Sequence, residues 1–247
     1  MAAIAANRDG VIYQGAAGPR DVSQGDPVTT DTLFRIMSMT TMLCTVAALQ
    51  RPRVLVLERG PGHVGESDRV PNVVAGSAAS LTAPLLADPG DAFIYGINTD
   101  WLGKVVEAVT GTGLDVAIKQ GITGPLRGGE LDGTRILRQS TVDEAFRNQI
   151  GDLDVPAEIS SADPASTCEL NLGPGFKWGY GRLLNTSDIP GMRRAWSGAW
   201  AGLCNTHFWV DRTTGVCGSI YSNFLPFVTP EALTMYNDFE RVLYASL

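Results

Sequence analysis

Strand-like runs at both ends of the chain constrain the fold more than any other feature of this sequence. Near the start, residues 2–7 and 11–15 have the pattern of two short strands around the turn Arg8-Asp9-Gly10. Near the end, the runs HFWVD and VCGSIYSN flank residues 212–215, a turn that contains a glycine. Because helical patterns occupy much of the chain between them, we predict an antiparallel sheet built from both chain ends around a helical insert, which is an α+β arrangement.

The segment FRIMSMTTMLCTVAALQ changes from an extended pattern to a helical one near Ser38. Apolar residues then recur at helical spacing as far as Gln50, which predicts a helix that is buried on much of its surface. These positions are Met39, Met42, Leu43, Val46 and Leu49. We interpret the cluster of Met37, Met39 and Met42 as core packing.

A second helix is predicted over residues 99–110, with the sequence TDWLGKVVEAVT. Thr99 or Asp100 is suited to cap its start, and Gly111 follows its end. Residues 113–120 are expected to add a short helix. The pattern therefore places at least two helices in the middle of the chain.

A last helix is predicted from Pro230 to about Ala245, with Thr229 as its N-cap. By contrast, residues 51–94 carry many helix and strand breakers, so we expect loops there with one or two short elements. Residues 151–177 are rich in Pro, Ser, Asp and Gly and predict a long surface excursion.

The chain length supports one compact unit. With 247 residues, 44% of them hydrophobic, the protein is large enough to bury a sizeable core. We expect residues 1–50 and 190–247 to form the sheet region, and residues 51–189 to form a reduced helical and loop region.

The charge of the protein excludes two classes of partner. The formal net charge is -7 and the sequence pI is about 4.8, so the protein repels phosphates. Nucleic acids and anionic membrane surfaces are therefore not expected as partners. The first residues lack the basic lead of a signal peptide, and no apolar run is long enough to span a bilayer. These features predict a cytoplasmic protein.

Cysteine and histidine usage gives no sign of a metal site or cofactor. The four cysteines are far apart and form no CxxC pair, so neither a zinc site nor a disulfide scaffold is predicted, and we expect thiols in a reducing compartment. The two histidines exclude a histidine-rich metal site. These residues are Cys44, Cys168, Cys204, Cys217, His63 and His207. We expect His63 to face solvent.

Several motifs in order carry a family resemblance. The segments DTLFRIMSMTTMLCTVAALQ, YGINTDWLGKVVEAVTG and WAGLCNTHFWVDRTTGVCG, with RGGELDGTRIL and GPGFKWGYGRLLN, cover most of residues 8–36 and 85–247. They resemble the serine β-lactamase-like hydrolases, which include class C β-lactamases and penicillin-binding proteins, and above all the family VIII carboxylesterases. Ordered matches of this kind are more specific than one short motif. The resemblance implies a β-lactamase and transpeptidase-like fold.

The resemblance also implies roles for particular residues. Ser38 corresponds to the nucleophile and Tyr95 to the acid/base tyrosine of the family. The strand motif becomes Trp200-Ala201-Gly202, and the second donor of the oxyanion hole lies near Leu203. A nucleophile at a helix start, with two N–H donors aimed at the developing oxyanion, suits acyl transfer.

The sequence departs from the family pattern at the base. The family has a lysine three residues after the serine, where this chain has Thr41, whose hydroxyl is not a base near neutral pH. No lysine, including Lys104, follows Ser38 at a suitable spacing. The HTSGL segment expected after Gln50 and the family's initial helix are also missing, which we interpret as two deletions.

Two residues are candidates to replace the lysine as the base. Tyr95 could act alone if its ionisation were favoured, and His207 either approaches the pocket or is an ordinary outward strand residue. Without the resemblance, Ser38 is a residue that begins a helix and Tyr95 is a half-buried aromatic. Thr41 is either a remnant or a polar group reused for binding.

Three hypotheses about function follow. The first is a serine hydrolase or acyltransferase acting on an ester, thioester or lactone of a small, fairly apolar molecule, with a specialised biosynthetic role. Tyr95, Trp196 and Trp200 would line its pocket, and Thr41, Gly202 and Leu203 would contact substrate or oxyanion. The second is a non-catalytic descendant that binds a small molecule or another protein through the old pocket. The third is isomerisation or cyclisation with Tyr95 as acid/base. A homodimer that covers apolar surface left by the deletions is also expected.

Overall fold

The fold is built on a seven-stranded antiparallel sheet. The computed structural model describes residues 1–51, 78–82, 87–88, 90–125, 135–159, 168–169 and 175–247. In these ranges the strands are β1 Ala2–Asn7, β2 Gly10–Ala16, β3 Glu158–Ile159, β4 Cys168–Glu169, β5 Phe176–Gly179, β6 Arg182–Asn185, β7 Gly198–Gly202, β8 Thr206–Asp211 and β9 Val216–Tyr221. The sheet order is β2-β1-β9-β8-β7-β6-β5, and β3 pairs only with β4.

Helices lie between the strands of the two chain ends and after the last strand. They are a 3-10 helix at Met37–Met39, α1 Thr40–Leu49, a 3-10 helix at Ala78–Thr82, α2 Asn98–Thr110, α3 Leu114–Ile118, a π-helical turn at Lys119–Thr123, α4 Gln139–Ala145 and α5 Pro230–Ala245. The predicted α+β class is therefore confirmed. No helix of the described ranges is long and apolar enough to cross a membrane.

The two chain ends meet in the middle of the sheet, as the sequence predicted. Strand β1 pairs antiparallel with β9, from Ala2 opposite Tyr221 to Ala6 opposite Cys217. The predicted hairpin of β8 and β9 is also confirmed, with Asp211 opposite Val216 at its closed end. Strand β2 then lies at the edge of the sheet.

The predicted helices agree with the structure, except for one cap. Thr229 caps α5, where its hydroxyl oxygen accepts the N–H of Ala232 at 3.3 Å. Gly111 ends α2 in the left-handed conformation, with φ 67°. The prediction that Thr99 or Asp100 caps α2 is wrong, because the helix begins at Asn98 and has no side-chain cap.

The sheet extends further than the predicted sheet region. Strands β5 and β6 lie within residues 176–185, a part of the chain that the sequence interpretation assigned to the helical region. The physical reason is visible in FKWG, where Phe176 and Trp178 alternate with the polar Lys177. Residues 180–181 then form the turn into β6. Most of residues 51–94 and part of 151–177 lie outside the described ranges, as does His63.

The sheet has two different faces, because side chains alternate along each strand. On β8, Trp209 packs against Tyr236 and Phe239 of α5. Phe208 faces the opposite way and joins a cluster with Met39 and Trp200. We call the first face the α5 face and the second the inner face.

Helices α1, α2 and α3 form a separate apolar cluster on the side of the inner face. Its fully buried residues include Ala47 and Ala48 of α1, Val106 of α2 and Ala117 of α3. Small residues on α1 let the helices approach closely. This packing fixes α1 relative to α2 and α3, and Met42 of α1 joins the core on the inner face of the sheet.

Candidate active site

Ser38 is the middle residue of the 3-10 helix that leads into α1. It is half-buried, and the residue before it, Met37, has a positive φ of 46°. Few residues other than glycine adopt this conformation, and such residues cluster at functional sites. The strained backbone at Met37 sets the direction in which the chain presents Ser38.

Strands β7 and β8 both pack directly against the segment that carries Ser38. The hydroxyl of Thr206 donates a hydrogen bond to the carbonyl oxygen of Ile36 at 3.3 Å. A Cβ atom at Gly202 would overlap the same carbonyl oxygen. The glycine at position 202 is therefore required for the close approach of the strand to the Ser38 segment.

Tyr95 and Trp200 are in direct contact. The indole N–H of Trp200 donates a hydrogen bond to the phenol oxygen of Tyr95 at 3.1 Å. Their ring centroids are 5.2 Å apart. Trp178 lies edge-on to Trp200 at 4.6 Å, and Phe93 lies edge-on to Trp178 at 5.3 Å. We call these four residues the aromatic cluster.

The aromatic cluster and the Ser38 segment share one apolar core. Met39, next to Ser38, belongs to the same group of buried residues as Trp200, and Tyr95 and Ile36 pack against that group. Residues on both sides of Ser38 are thus brought to the core that holds Tyr95 and Trp200. The roles assigned to Ser38, Tyr95 and Trp200 stay predictions.

Thr41, at the position of the family's lysine, contacts the helix that follows Tyr95. Its hydroxyl lies 3.2 Å from the hydroxyl of Thr99 in the first turn of α2. One turn further along α1, burial raises the pKa of the Cys44 thiol to about 11, with a further contribution from Asp100. Burial also raises the pKa of Asp100. At position 41, the contact between α1 and α2 is therefore made by two neutral hydroxyl groups, those of Thr41 and Thr99.

The other two residues predicted for the pocket lie at the ends of β7. Trp196 precedes the strand with a φ of 62°, is 46% exposed and does not belong to the aromatic cluster. Leu203 is half-buried in the turn between β7 and β8, directly after Gly202. Of these two, Leu203 adjoins the strand that packs against the Ser38 segment.

His207 lies on the α5 face, away from the aromatic cluster. Its ring stacks on Tyr236 with centroids 4.6 Å apart, and on Phe227 at 5.9 Å. Burial, with a smaller contribution from the Arg193 guanidinium, lowers the pKa of His207 to about 4. His207 is therefore a strand residue that does not approach the aromatic cluster. It differs from the predicted outward residue in being buried.

Sequence reasoning missed three residues of this region, namely Phe93, Thr99 as a partner of Thr41, and Trp178. Phe93 and Trp178 could have been found from local alternation, since Phe93 stands two residues before Tyr95 and Trp178 two residues after Phe176. The hydroxyl pair joins residues 58 positions apart and has no local signal. Within the described ranges, no group of three His, Cys, Asp or Glu side chains could hold a metal ion.

Comparisons with known proteins bear on the fold. The sequence model of the Beta-lactamase family matches residues 1–52. The structure of simvastatin synthase (LovD) from Aspergillus terreus superposes with a TM-score of 0.73 at 19% identity, covering 99% of this chain and 93% of that one. Solved β-lactamases share the fold. The chain thus has the fold of the serine β-lactamase and transpeptidase superfamily, and the resemblance found in the sequence is confirmed at that level.

Curated relatives match parts of the chain. Monacolin J acid methylbutanoyltransferase of Aspergillus terreus is 37% identical over 65 residues, which are 26% of this chain and 14% of that protein. Lovastatin esterase of Penicillium rubens is 32% identical over 118 residues, which are 47% of this chain and 28% of that protein. The chain therefore matches less than a third of the length of either relative.

Proposed function

We propose that the protein transfers a small, fairly apolar acyl group, as an acyltransferase or as an esterase, in a biosynthetic role. The observation that carries this proposal is the hydrogen-bonded pair of Tyr95 and Trp200, set in the apolar core that also contains the residue after Ser38. The names of the similar proteins support the acyl chemistry, since one is a methylbutanoyltransferase and another an esterase. We extend this to an ester or thioester of a short apolar acid as substrate.

In the proposed reaction, Ser38 Oγ attacks the acyl carbonyl carbon while Tyr95 takes the proton from the hydroxyl. The N–H groups of Ser38 and Leu203 stabilise the tetrahedral oxyanion. Tyr95 then gives the proton to the leaving alcohol or thiol, and the C–O or C–S bond breaks to leave an acyl-serine. An acceptor alcohol or water attacks this ester by the same route in reverse.

We infer the substrate preference from the apolar residues that surround the Ser38 segment. Phe93, Trp178 and Trp200 are aromatic, and Met39 and Met42 pack in the same core as flexible apolar side chains. A substrate group bound among these side chains would be an uncharged acyl chain rather than a sugar or a peptide. This proposal also includes four predictions made from the sequence. The protein is related to the family VIII carboxylesterases, and Thr41 replaces the lysine that serves as base. It is cytoplasmic and forms a homodimer.

The test is a burst assay with p-nitrophenyl butyrate and labelling with a fluorophosphonate probe. Ser38→Ala is expected to remove both the burst and the label, with a loss of at least about a hundredfold in kcat. Ser23→Ala, in an exposed turn, is the matched control and should behave as the wild type. An unchanged burst in Ser38→Ala would contradict the proposal. Turnover that survives Ser38→Ala but fails in Tyr95→Phe would favour isomerisation or cyclisation instead.

A further inference from the structure

The hydrogen bond between Trp200 and Tyr95 has a fixed direction. An indole N–H is only a donor, so the phenol oxygen of Tyr95 must accept at 3.1 Å. A hydrogen bond donated to an ionisable oxygen stabilises its anionic form more than its neutral form. The contact therefore favours the phenolate of Tyr95, the form that can take a proton from a hydroxyl.

The donor is held in place by its surroundings. Trp200 is 8% exposed and pairs in the sheet with Phe208 on β8. The ring of Trp178 lies at 86° to that of Trp200. Because β7 fixes the backbone and the rings of Trp178 and Tyr95 pack against the indole, the N–H keeps its direction without an entropic cost at the moment of reaction.

We propose that Trp200 is a positioning residue that orients Tyr95 and favours its phenolate, in place of the lysine whose position is taken by Thr41. This inference rests on the proposed function. In relatives with the lysine, a cation beside the tyrosine would favour the phenolate, whereas Thr41 is neutral and pairs with Thr99. A donor from the strand supplies part of that effect without introducing a charge.

Several charged groups lie on the segments around the aromatic cluster, and a substitution of Trp200 does not remove any of them. On β6, the Arg182 guanidinium donates to the Met42 sulfur at 3.2 Å and to the Tyr180 carbonyl oxygen at 3.1 Å. On β5, Lys177 pairs with Asp154 at 3.2 Å. Further charged residues on the neighbouring described segments are Asp100 in α2, Asp91 before Phe93 and Glu158 beside Ile159, which packs in the same core. A comparison of variants at position 200 holds all of these groups constant.

The experiment compares Trp200→Phe with Trp178→Phe, since each loses an indole of the same cluster but only Trp200 donates to Tyr95. Ionisation of Tyr95 is followed by the difference in tyrosinate absorbance between each protein and its Tyr95→Phe counterpart, which requires no substrate. In Trp200→Phe the midpoint of this ionisation, and the rising limb of kcat against pH, should move to higher pH. At neutral pH kcat should fall about five- to tenfold, the effect of one hydrogen bond.

Trp178→Phe should raise KM for p-nitrophenyl butyrate, because it removes part of the apolar wall, and leave both pH midpoints where they are in the wild type. Equal midpoints in wild type and Trp200→Phe would overturn the inference, as would equal shifts in the two variants. If the wild type shows no acyl turnover, the proposed function fails, while the absorbance titration still decides whether Trp200 favours the phenolate.

Discussion

The two faces of the sheet use the same strands for different purposes. On the α5 face, polar groups are buried and bound to one another, as in the Arg193–Glu240 ion pair at 2.5 Å. On the inner face, the contacts around Trp200 are mostly aromatic and apolar. Alternate residues of β7 and β8 thus serve stability on one face and the candidate active site on the other. Substitutions that alter one face at a time test this division.

The α5 face is held by a network around Asp211 and Glu240. Asp211 accepts the N–H groups of Arg194 and Thr214 and the hydroxyl of Tyr244. Burial alone would raise the pKa of Asp211, but these hydrogen bonds lower it overall. Because Arg193 and Arg194 precede β7, the network fixes the strand that packs against the Ser38 segment.

The largest effect is expected from Glu240→Leu. Glu240 is fully buried and accepts from both the N–H and the guanidinium of Arg193. Burial raises the pKa of its carboxyl, and Arg193 opposes that rise. Removal of the carboxylate leaves a buried cation without its partner, so the free energy of unfolding should fall by about 3–5 kcal/mol. Urea denaturation measures the loss.

The matched control is Asp238→Asn on the same helix. Asp238 pairs with Arg241 at 3.4 Å, and both side chains are more than half exposed. This change should alter the free energy of unfolding by less than about 0.5 kcal/mol. Equal losses in the two variants would show that the buried pair has no special importance.

Two glycines offer a direct comparison of the faces. A Cβ atom at Gly202 would overlap the Ile36 carbonyl oxygen on the inner face, and one at Gly218 would overlap the Trp209 ring on the α5 face. Gly202→Ala and Gly218→Ala should each cost about 1–3 kcal/mol in the free energy of unfolding, the usual effect of overpacking.

Only Gly202→Ala should also reduce acyl turnover, because it displaces the segment that presents Ser38. The measurement is kcat with p-nitrophenyl butyrate at a temperature where both variants are folded. If Gly218→Ala lost as much activity as Gly202→Ala, the division between the faces would not hold.

The last prediction concerns the pH dependence of stability, where the effect is confined to acid pH. The pKa of His207 is lowered from 6.5 to about 4 in the folded protein, chiefly by burial. Between pH 6.5 and pH 4 the unfolded chain therefore binds more protons at His207 than the folded protein does. The contribution of neutral His207 to the free energy of unfolding is fully present above pH 6.5 and is lost as the pH falls toward 4. Replacement by phenylalanine, which keeps a ring between Tyr236 and Phe227, should remove about 2 kcal/mol of the decline between pH 7 and pH 5.

This prediction is measured by urea denaturation of wild type and His207→Phe at both pH values. A decline of the same size in both proteins would assign the acid sensitivity to other groups. Acyl turnover at pH 7 should be unaffected, since His207 lies on the α5 face.

Local patterns predicted the outer parts of the fold well. The hairpin of β8 and β9 has a clear turn signal, and Thr229 followed by Pro230 marks the start of α5 correctly. The pairing of β1 with β9 followed from strands at both chain ends. These features depend on residues close in sequence or on the topology that a sheet permits.

The site itself was harder to predict, since its contacts join distant segments. The Trp200–Tyr95 hydrogen bond spans 105 positions and the Thr41–Thr99 contact spans 58. The family resemblance singled out Tyr95 and Trp200 but gave no reason for a direct bond between them. The face on which His207 lies could have been read from its parity with Trp209, because alternate residues of a strand share a face.

The perpendicular indoles of Trp178 and Trp200 have an optical consequence. Two chromophores with centroids 4.6 Å apart share their electronic excitation, and circular dichroism records such a pair as two bands of opposite sign. Among the described residues, the rings that pack against Trp209, across the sheet, are those of Tyr236 and Phe239. The candidate active site therefore carries a spectral signature of its own, by which a bound acyl group that parts the two rings could be seen without any label.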